Sequence, residues 1–442
     1  MMEQWTADLA GFIWGLPLVI LLVASGIIFS LYLGLPQIRY FKHAIDIVLG
    51  KYDKPEDKGE ISHFQALCAA LSATVGLGNI AGVAVAVALG GPGAVFWLWV
   101  AGFIGMCTKF TEVTLSLLYR QVNDDGTVNG GPMFVIKNGL SKKFMPLAWM
   151  YAIFTILSSI GAGNMFQSNQ MASVVYSTTG TPPWMSGIIF CFLAGLVLIG
   201  GIKRIGKVTE KLVPMMVLVY FLGAIGIILN HFEEIPHAFS LIFNGAFKGT
   251  AAFGAFSGIA VKEVIILGIK RASFSNEAGM GSSAMAHSAA KSTPVEEGIV
   301  ALLEPFIDTI IVCSITAFSL ILTNAWHMPG IEGSDMTAYA FESVHGPIGR
   351  YIVTLTVTLF AFSTMISWSY YGEQGVTFIF GKKFIPHYRV AFIIMIFIGA
   401  TTKLNIVLNL SDSFYGMLAI PNIIACYILL PKVKEELKKY RA

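Results

Sequence analysis

Charge is what this chain has least of. Only 12% of its 442 residues are Asp, Glu, Lys or Arg, against 55% apolar, about half the charged share of a soluble domain. That balance excludes an ordinary water-soluble globule. There is no GxSxG turn, no HExxH pair and no Walker-type phosphate loop, so an enzyme reading has no motif to rest on. The five cysteines, Cys68, Cys107, Cys191, Cys313 and Cys426, fall singly within apolar stretches without metal-ligand spacing; they read as buried packing residues. The opening MMEQWTADLAG has acids and no basic n-region, so the first apolar stretch is expected to remain as a membrane span rather than be cleaved as a signal.

What is there is apolar sequence in lengths of roughly 20 residues, enough to cross a hydrocarbon core of about 30 Å as helix. Eleven spans are predicted, near 12–33, 63–90, 94–118, 145–175, 184–202, 210–229, 240–270, 297–325, 347–372, 389–403 and 412–431. Lys and Arg accumulate in cytoplasmic loops, and one set of alternate loops holds nearly all of them: Arg39 to Lys58, Arg120 to Lys143, Lys203 to Lys211, Lys270, Arg271 and Lys291, Lys382 to Arg389, and Lys432 to Arg441. The opposite set has Lys248, Arg350 and Lys403 at its margins. This sorting predicts a multi-pass protein of the cell (plasma or inner) membrane, with its N-terminus outside and a helical cytoplasmic tail, 432–442. The small net charge of +3 is a product of that topology and argues against nucleic-acid binding.

Two spans are interrupted. LSATVGLGNIAG, Leu71 to Gly82, places Ser72, Thr74, Gly76, Gly78 and Asn79 near the middle of an uncharged span, and Phe253 to Ile259 places FGAFSGI in the seventh. A small-residue packing face explains either one alone. Span 2 starts on the cytoplasmic side and span 7 outside, which predicts two inverted five-helix halves, 63–229 and 240–431, with 12–33 left over. Glycine-interrupted spans at corresponding positions of inverted halves point to a transporter binding site. Unwound backbone at that depth must line a cavity or be buried in protein, and its free N–H and C=O groups then serve as ligands.

The run VGLGN, Val75 to Asn79, resembles the first broken helix of the LeuT-type neurotransmitter:sodium symporters. GGPGAVFWLWVAGFIG, Gly90 to Gly105, and GIKRASFSNEAGMGSSAMAHSAA, Gly268 to Ala290, are similar to signature stretches of the alanine or glycine:cation symporter family. Leu98 stands where that signature often has Met, and Ala272 and Ser273 where Gly and Leu are common. The resemblance spans nearly the whole chain and implies an all-α, LeuT-like five-plus-five fold and sodium-driven uptake of alanine or glycine by alternating access, with Na+ as coupling ion and no organic cofactor.

A zwitterion needs a positive field for its carboxylate and acceptors for its ammonium. A break at Gly76 to Gly78 lets the N–H groups of Leu77 and Gly78 head a half-helix whose dipole favours the carboxylate, with the Thr74, Phe253 and Gly254 carbonyls facing the ammonium. The resemblance implies one sodium site at the Thr74 carbonyl and Asn79 side chain. It implies a second at the Ser72 and Val75 carbonyls with Ser363, Thr364 and the nearby Ser367. Asn164, Gln167 and Gln170 form a polar face at helical spacing; Gln167 reads as interhelical glue, Asn164 and Gln170 as substrate contacts, and which of them faces the pocket stays open. Phe166, Phe256 and Trp368 would cap the cavity. Among charged residues within spans, Lys109 and Glu112 read as a mutual pair. Lys262, Glu263, Glu304 and Asp308 read as an inner gate, and Asn276 and Glu277 as part of an inner loop. A proton-coupled transporter, with Glu304 or Glu263 as carrier, is the competing expectation; a channel would need symmetric pore rings instead.

Overall fold

The computed structural model describes residues 2–53, 57–248, 261–402 and 404–441. The chain is almost entirely helical, apart from a two-stranded ladder, Gln121–Val122 with Val128–Asn129. Among the described residues eight helices are long and apolar enough to cross a membrane: Trp5–Leu33, Gly93–Leu118, Lys142–Thr179, Gly201–Asn230, Pro294–Leu322, Pro347–Phe380, Lys382–Thr401 and Ser411–Tyr440. A ninth candidate is the pair His63–Thr74 and Gly78–Gly90, bent by 50°. Pro183–Leu198 is apolar but shorter.

The first half of that bent pair begins at a capping box. Ser62 accepts the Gln65 N–H while the Gln65 side chain accepts the Ser62 N–H, each at 3.2 Å, which satisfies two donors that a helix start leaves orphaned. It ends at Val75, whose ψ of 85° leaves the helical region. Beyond it, Gly78–Gly82 winds in wide turns closed by i→i+5 bonds before the regular helix resumes. Wide turns recur at Gly161–Met165 and Phe306–Cys313. Such turns tilt side chains off the regular helical positions and favour functional sites; these three carry Asn79, Asn164 and Asp308.

The interruption read at Phe253 to Ile259 falls outside the described residues; beyond it Val261–Asn276 is helical, and its contacts fix its place along the bundle. Leu267 and Gly268 pack against Gly90 and Ala94–Trp97, Ser275 against Gly78, and further along Ala289 accepts the N–H groups of Glu60 and Ile61 at 2.7 and 3.2 Å. The segment 261–290 therefore descends from the Gly90 end of the bundle to the His63 end, passing the first break halfway. Its helix stops at Asn276, and Glu277, Gly279 and Gly281 take positive φ of 59°, 93° and 72°. Gly279 and Gly281 are held there by close approach: a Cβ would meet Leu22 at 2.3 Å and Pro132 at 2.4 Å.

Two expectations change with this. Asn276 and Glu277 are buried where the Val261–Asn276 helix ends, next to the residue that packs on Gly78, and not in an inner loop. Lys270 and Arg271 lie within that helix and not in a loop. Ile235–Lys248 sits at the Gly90 end, the end at which span 7 is expected to start, where Trp97 Nε1 donates to the Ala246 carbonyl at 3.1 Å.

Candidate functional site: two helix breaks facing each other

The two breaks are joined by Asp308, from a wide turn of the Pro294–Leu322 helix. Its carboxylate accepts from Asn79 Nδ2 at 2.6 Å, from Ser275 Oγ at 2.8 Å and from Thr309 Oγ1 at 2.8 Å. Asn79 Oδ1 in turn accepts the Gly76 N–H at 2.8 Å, so the asparagine pins the first break while reaching the carboxylate. All four side chains are buried, and Asp308 makes no ion pair among the described residues. A carboxylate held only by neutral donors in a dry interior lacks the counter-charge that normally offsets its desolvation.

A second oxygen cluster lies on the other side of the same break. Ser72 Oγ donates to the Ser363 carbonyl at 2.7 Å, Thr364 Oγ1 donates to the Ser72 carbonyl at 3.1 Å, and Ser363 Oγ sits 3.4 Å from that carbonyl while donating to Phe360 at 2.9 Å. Thus Ser72, Ser363 and Thr364 do come together, on His63–Thr74 and Pro347–Phe380. Ser367 Oγ, a turn further on, is buried without a partner among the described residues. Gly76 is required here: a Cβ would sit 2.5 Å from Thr364 Oγ1. Neutral hydroxyl and carbonyl oxygens suit a hard cation, and among the described residues no group of three His, Cys, Asp or Glu could hold a transition metal instead.

The polar face of Lys142–Thr179 separates into three roles. Asn164 donates Nδ2 to the Phe392 carbonyl at 2.7 Å and so ties two helices. Gln167, expected to be the tie, bonds within its own helix to Ala162 at 3.0 Å and turns an unpartnered Oε1 toward Gly76. Gln170 lines a cavity on the Gly90 side of the break. Aromatic rings close the site along one side, Phe166 on Phe274, Phe274 on Tyr415 and Tyr415 on Trp368, at centroid distances of 5.8, 5.1 and 5.8 Å. Trp368 is held against Gly163, where a Cβ would meet its own Cβ at 2.3 Å.

The charged residues pair differently from the sequence reading. Lys109 reaches Glu304 at 3.1 Å and Ser283 Oγ at 2.5 Å, not Glu112, whose Oε1 accepts from the Gly279 N–H and Asn422. Glu304 continues to His287 at 2.5 Å, His287 to Glu297 at 2.6 Å, and Glu297 to His63 at 2.6 Å. This buried chain stitches the stretch after the second break to the His63 end. Lys262 and Glu263 are exposed at the opposite end, so the structure does not bring them to Glu304 and Asp308. Phe253, Gly254 and Phe256 lie outside the described residues. Ser275, Thr309, Phe274 and Tyr415 escaped the sequence reading, although SFSNEAG showed the same polar-then-glycine pattern as the first break.

A bent helix with polar oxygens at its break is thus opposed by a second break, with Asp308 bonded to both. The profile of the sodium:alanine symporter family matches residues 1–442. The chain belongs to the sodium:alanine symporter family. It is 41% identical over 435 residues to the sodium/alanine symporter AgcS of Methanococcus maripaludis, covering 97% of this chain and 95% of that one. It is 35% identical over 433 residues to the probable sodium/glutamine symporter GlnT of Bacillus subtilis, covering 97% and 88%. Among solved structures it resembles MhsT in complex with L-phenylalanine, with a TM-score of 0.58 over 86% of this chain and 98% of that one, at 15% identity. That likeness carries the LeuT-type fold alone. A member of this family is a multi-pass transporter coupled to sodium, and not an enzyme.

Proposed function

We propose that this symporter couples sodium entry to uptake of a small neutral amino acid, alanine or glycine, by alternating access across the cell membrane. The observation that carries the proposal is the meeting of the two breaks at Asn79, Ser275 and Asp308. In this reading the Leu77 and Gly78 N–H groups take the substrate carboxylate at the positive end of the Gly78–Gly90 half-helix. One sodium sits among the Thr74 carbonyl, Asn79 Oδ1, Ser275 and Asp308, next to that carboxylate. Each ligand then neutralises the other on leaving water, which is the physical basis of coupling. A second sodium sits between the Ser72 and Val75 carbonyls and the Ser363 and Thr364 hydroxyls. The Gly163–Trp368 contact and the Phe166–Phe274–Tyr415 wall favour a short side chain.

The topology follows from the same reading: eleven crossings, five-helix halves of opposite direction, the His63 end cytoplasmic and the Gly90 end outside. The Lys109–Glu304–His287–Glu297–His63 chain then closes the cytoplasmic side. The test is uptake of labelled alanine into proteoliposomes under an imposed sodium gradient, with glycine, serine, glutamine and leucine as competitors. Accumulation that needs sodium and is blocked by glycine but not leucine is expected. Uptake that survives replacement of sodium by choline would instead assign the coupling to protons.

A further inference from the structure

Between the first break and the Gly90 end lies a cavity of about 320 Å³, whose walls include Phe166, Gln170, Ser173, Arg271, Glu332 and Asp335. At about 30 Å³ per water it holds about ten water molecules, room for a small amino acid with part of its hydration shell. Arg271 stands out in it. Its side chain rests against Gly82, just past the break, only 7% of the residue is exposed, and its Nε has no hydrogen-bond partner among the described residues. A guanidinium remains charged at any physiological pH, and this one makes no ion pair among the described residues even though Glu332 and Asp335 line the same cavity. Its neighbour Lys270, by contrast, is neutralised by Asp412 at 2.7 Å.

We infer that this cavity is an outer reception site for the amino-acid zwitterion, distinct from the site between the breaks. The Arg271 fork binds the carboxylate, Glu332 and Asp335 face the ammonium, and Phe166 and Gln170 form the floor through which the substrate passes inward. The charges match a zwitterion better than a simple anion. Two carboxylates around one guanidinium repel chloride or a dicarboxylate, and a bidentate fork suits one carboxylate group. Because Phe166 borders both spaces, lining the cavity and packing on Phe274, occupancy of the outer site hands substrate directly to the break. The inference rests on the amino-acid symport reading above.

The test uses the full chain in proteoliposomes with Ser173→Cys as a reporter. Ser173 is exposed on the cavity wall, and four of the five native cysteines are buried while Cys191 is partly so. L-Alanine in sodium-free choline medium is expected to protect that thiol from a membrane-impermeant thiol reagent. Arg271→Gln is expected to abolish the protection and raise the uptake KM about tenfold, the loss of one charge-assisted contact, with the maximal rate held within about twofold. Arg271→Lys is expected to fall between. Glu332→Gln, at an exposed position, is expected to raise KM in the same direction and serves if the arginine variants fail to fold. Absence of sodium-free protection, or an unchanged KM in Arg271→Gln or Glu332→Gln, overturns the outer site. So does a fall in maximal rate at constant KM, which marks Arg271 as a latch closing on Asp335. Wild-type protein without sodium-driven uptake removes the symport reading instead, and that outcome is scored separately from thiol protection.

Discussion

Asp308→Asn separates a sodium ligand from a structural carboxyl group. Asparagine keeps the shape of the side chain and one acceptor oxygen, so Ser275 and Thr309 retain a partner, while the full negative charge is removed. Two unit charges about 4 Å apart interact by about 4 kcal/mol at an effective dielectric near 20. A sodium coordinated by the carboxylate would lose a large part of that, offset by the lower cost of desolvating a neutral amide and by its residual dipole. Allowing half to remain after those offsets leaves ~2 kcal/mol, or roughly a 30-fold weaker sodium affinity. The assay is a sodium titration of labelled alanine uptake, run beside equilibrium alanine binding at saturating sodium. The half-saturating sodium concentration should rise by that order, with alanine affinity at high sodium changed far less. A sodium dependence within threefold of wild type would refute the placement, because a carboxyl that is protonated and merely hydrogen-bonded to Asn79 and Ser275 loses nothing electrostatic on becoming an amide. The thermal midpoint in detergent guards against trivial unfolding.

Gly76→Ala places a methyl 2.5 Å from Thr364 Oγ1 and should abolish sodium-dependent uptake; pairing it with Thr364→Ala, which clears the clash, should restore folding but not the sodium response, read as uptake in sodium against choline. Lys109→Met leaves Glu304 buried without its lysine and should destabilise by about 3–5 kcal/mol, seen as a large drop in thermal midpoint, with Lys109→Met/Glu304→Gln recovering part of it. Asn164→Ala removes the 2.7 Å tie to Phe392 and should lower stability by about 1–2 kcal/mol with little change in alanine KM, whereas Gln167→Ala, at the break, should raise KM.

The membrane class, the first break and the hydroxyl trio on Pro347–Phe380 were legible because each is a local departure from a simple background. A Gly, Ser or Asn in an uncharged apolar run is conspicuous, and Ser72, Ser363 and Thr364 do hydrogen-bond across their two helices. Partners were not legible. Lys109 and Glu112 are three apart and read as a pair, yet a wide turn and a packed neighbour bring Glu304 to the lysine instead, and no periodicity contains that distance. Asn164 and Gln167 show the same limit: a wide turn, Gly161–Met165, interrupts this polar face, and the bonds from Asn164 to Phe392 and from Gln167 to Ala162 are not contained in regular helical spacing.

The break after Asn276 went unread for a more instructive reason. Counting charges treated Lys270 and Arg271 as a loop boundary, since two cations beside about twenty apolar residues are the ordinary mark of a membrane exit. In the folded chain Asp412 neutralises one of them and a polar cavity surrounds the other, so neither needs water from the bulk. The polar grammar on its own pointed elsewhere. In the first break the asparagine follows the glycines, Gly76, Gly78 then Asn79; in 276–281 it precedes them, Asn276 then Gly279 and Gly281. The first segment runs from the His63 end toward the Gly90 end and 261–290 runs the other way. Reversed order along the sequence is therefore the same order along the bundle, with Asn79 and Asn276 both on the Gly90 side of their glycines. Two strands of chain crossing one site in opposite directions need such mirrored patterns to present their polar groups at one level, and that mirror locates the second break more securely than any count of flanking charges.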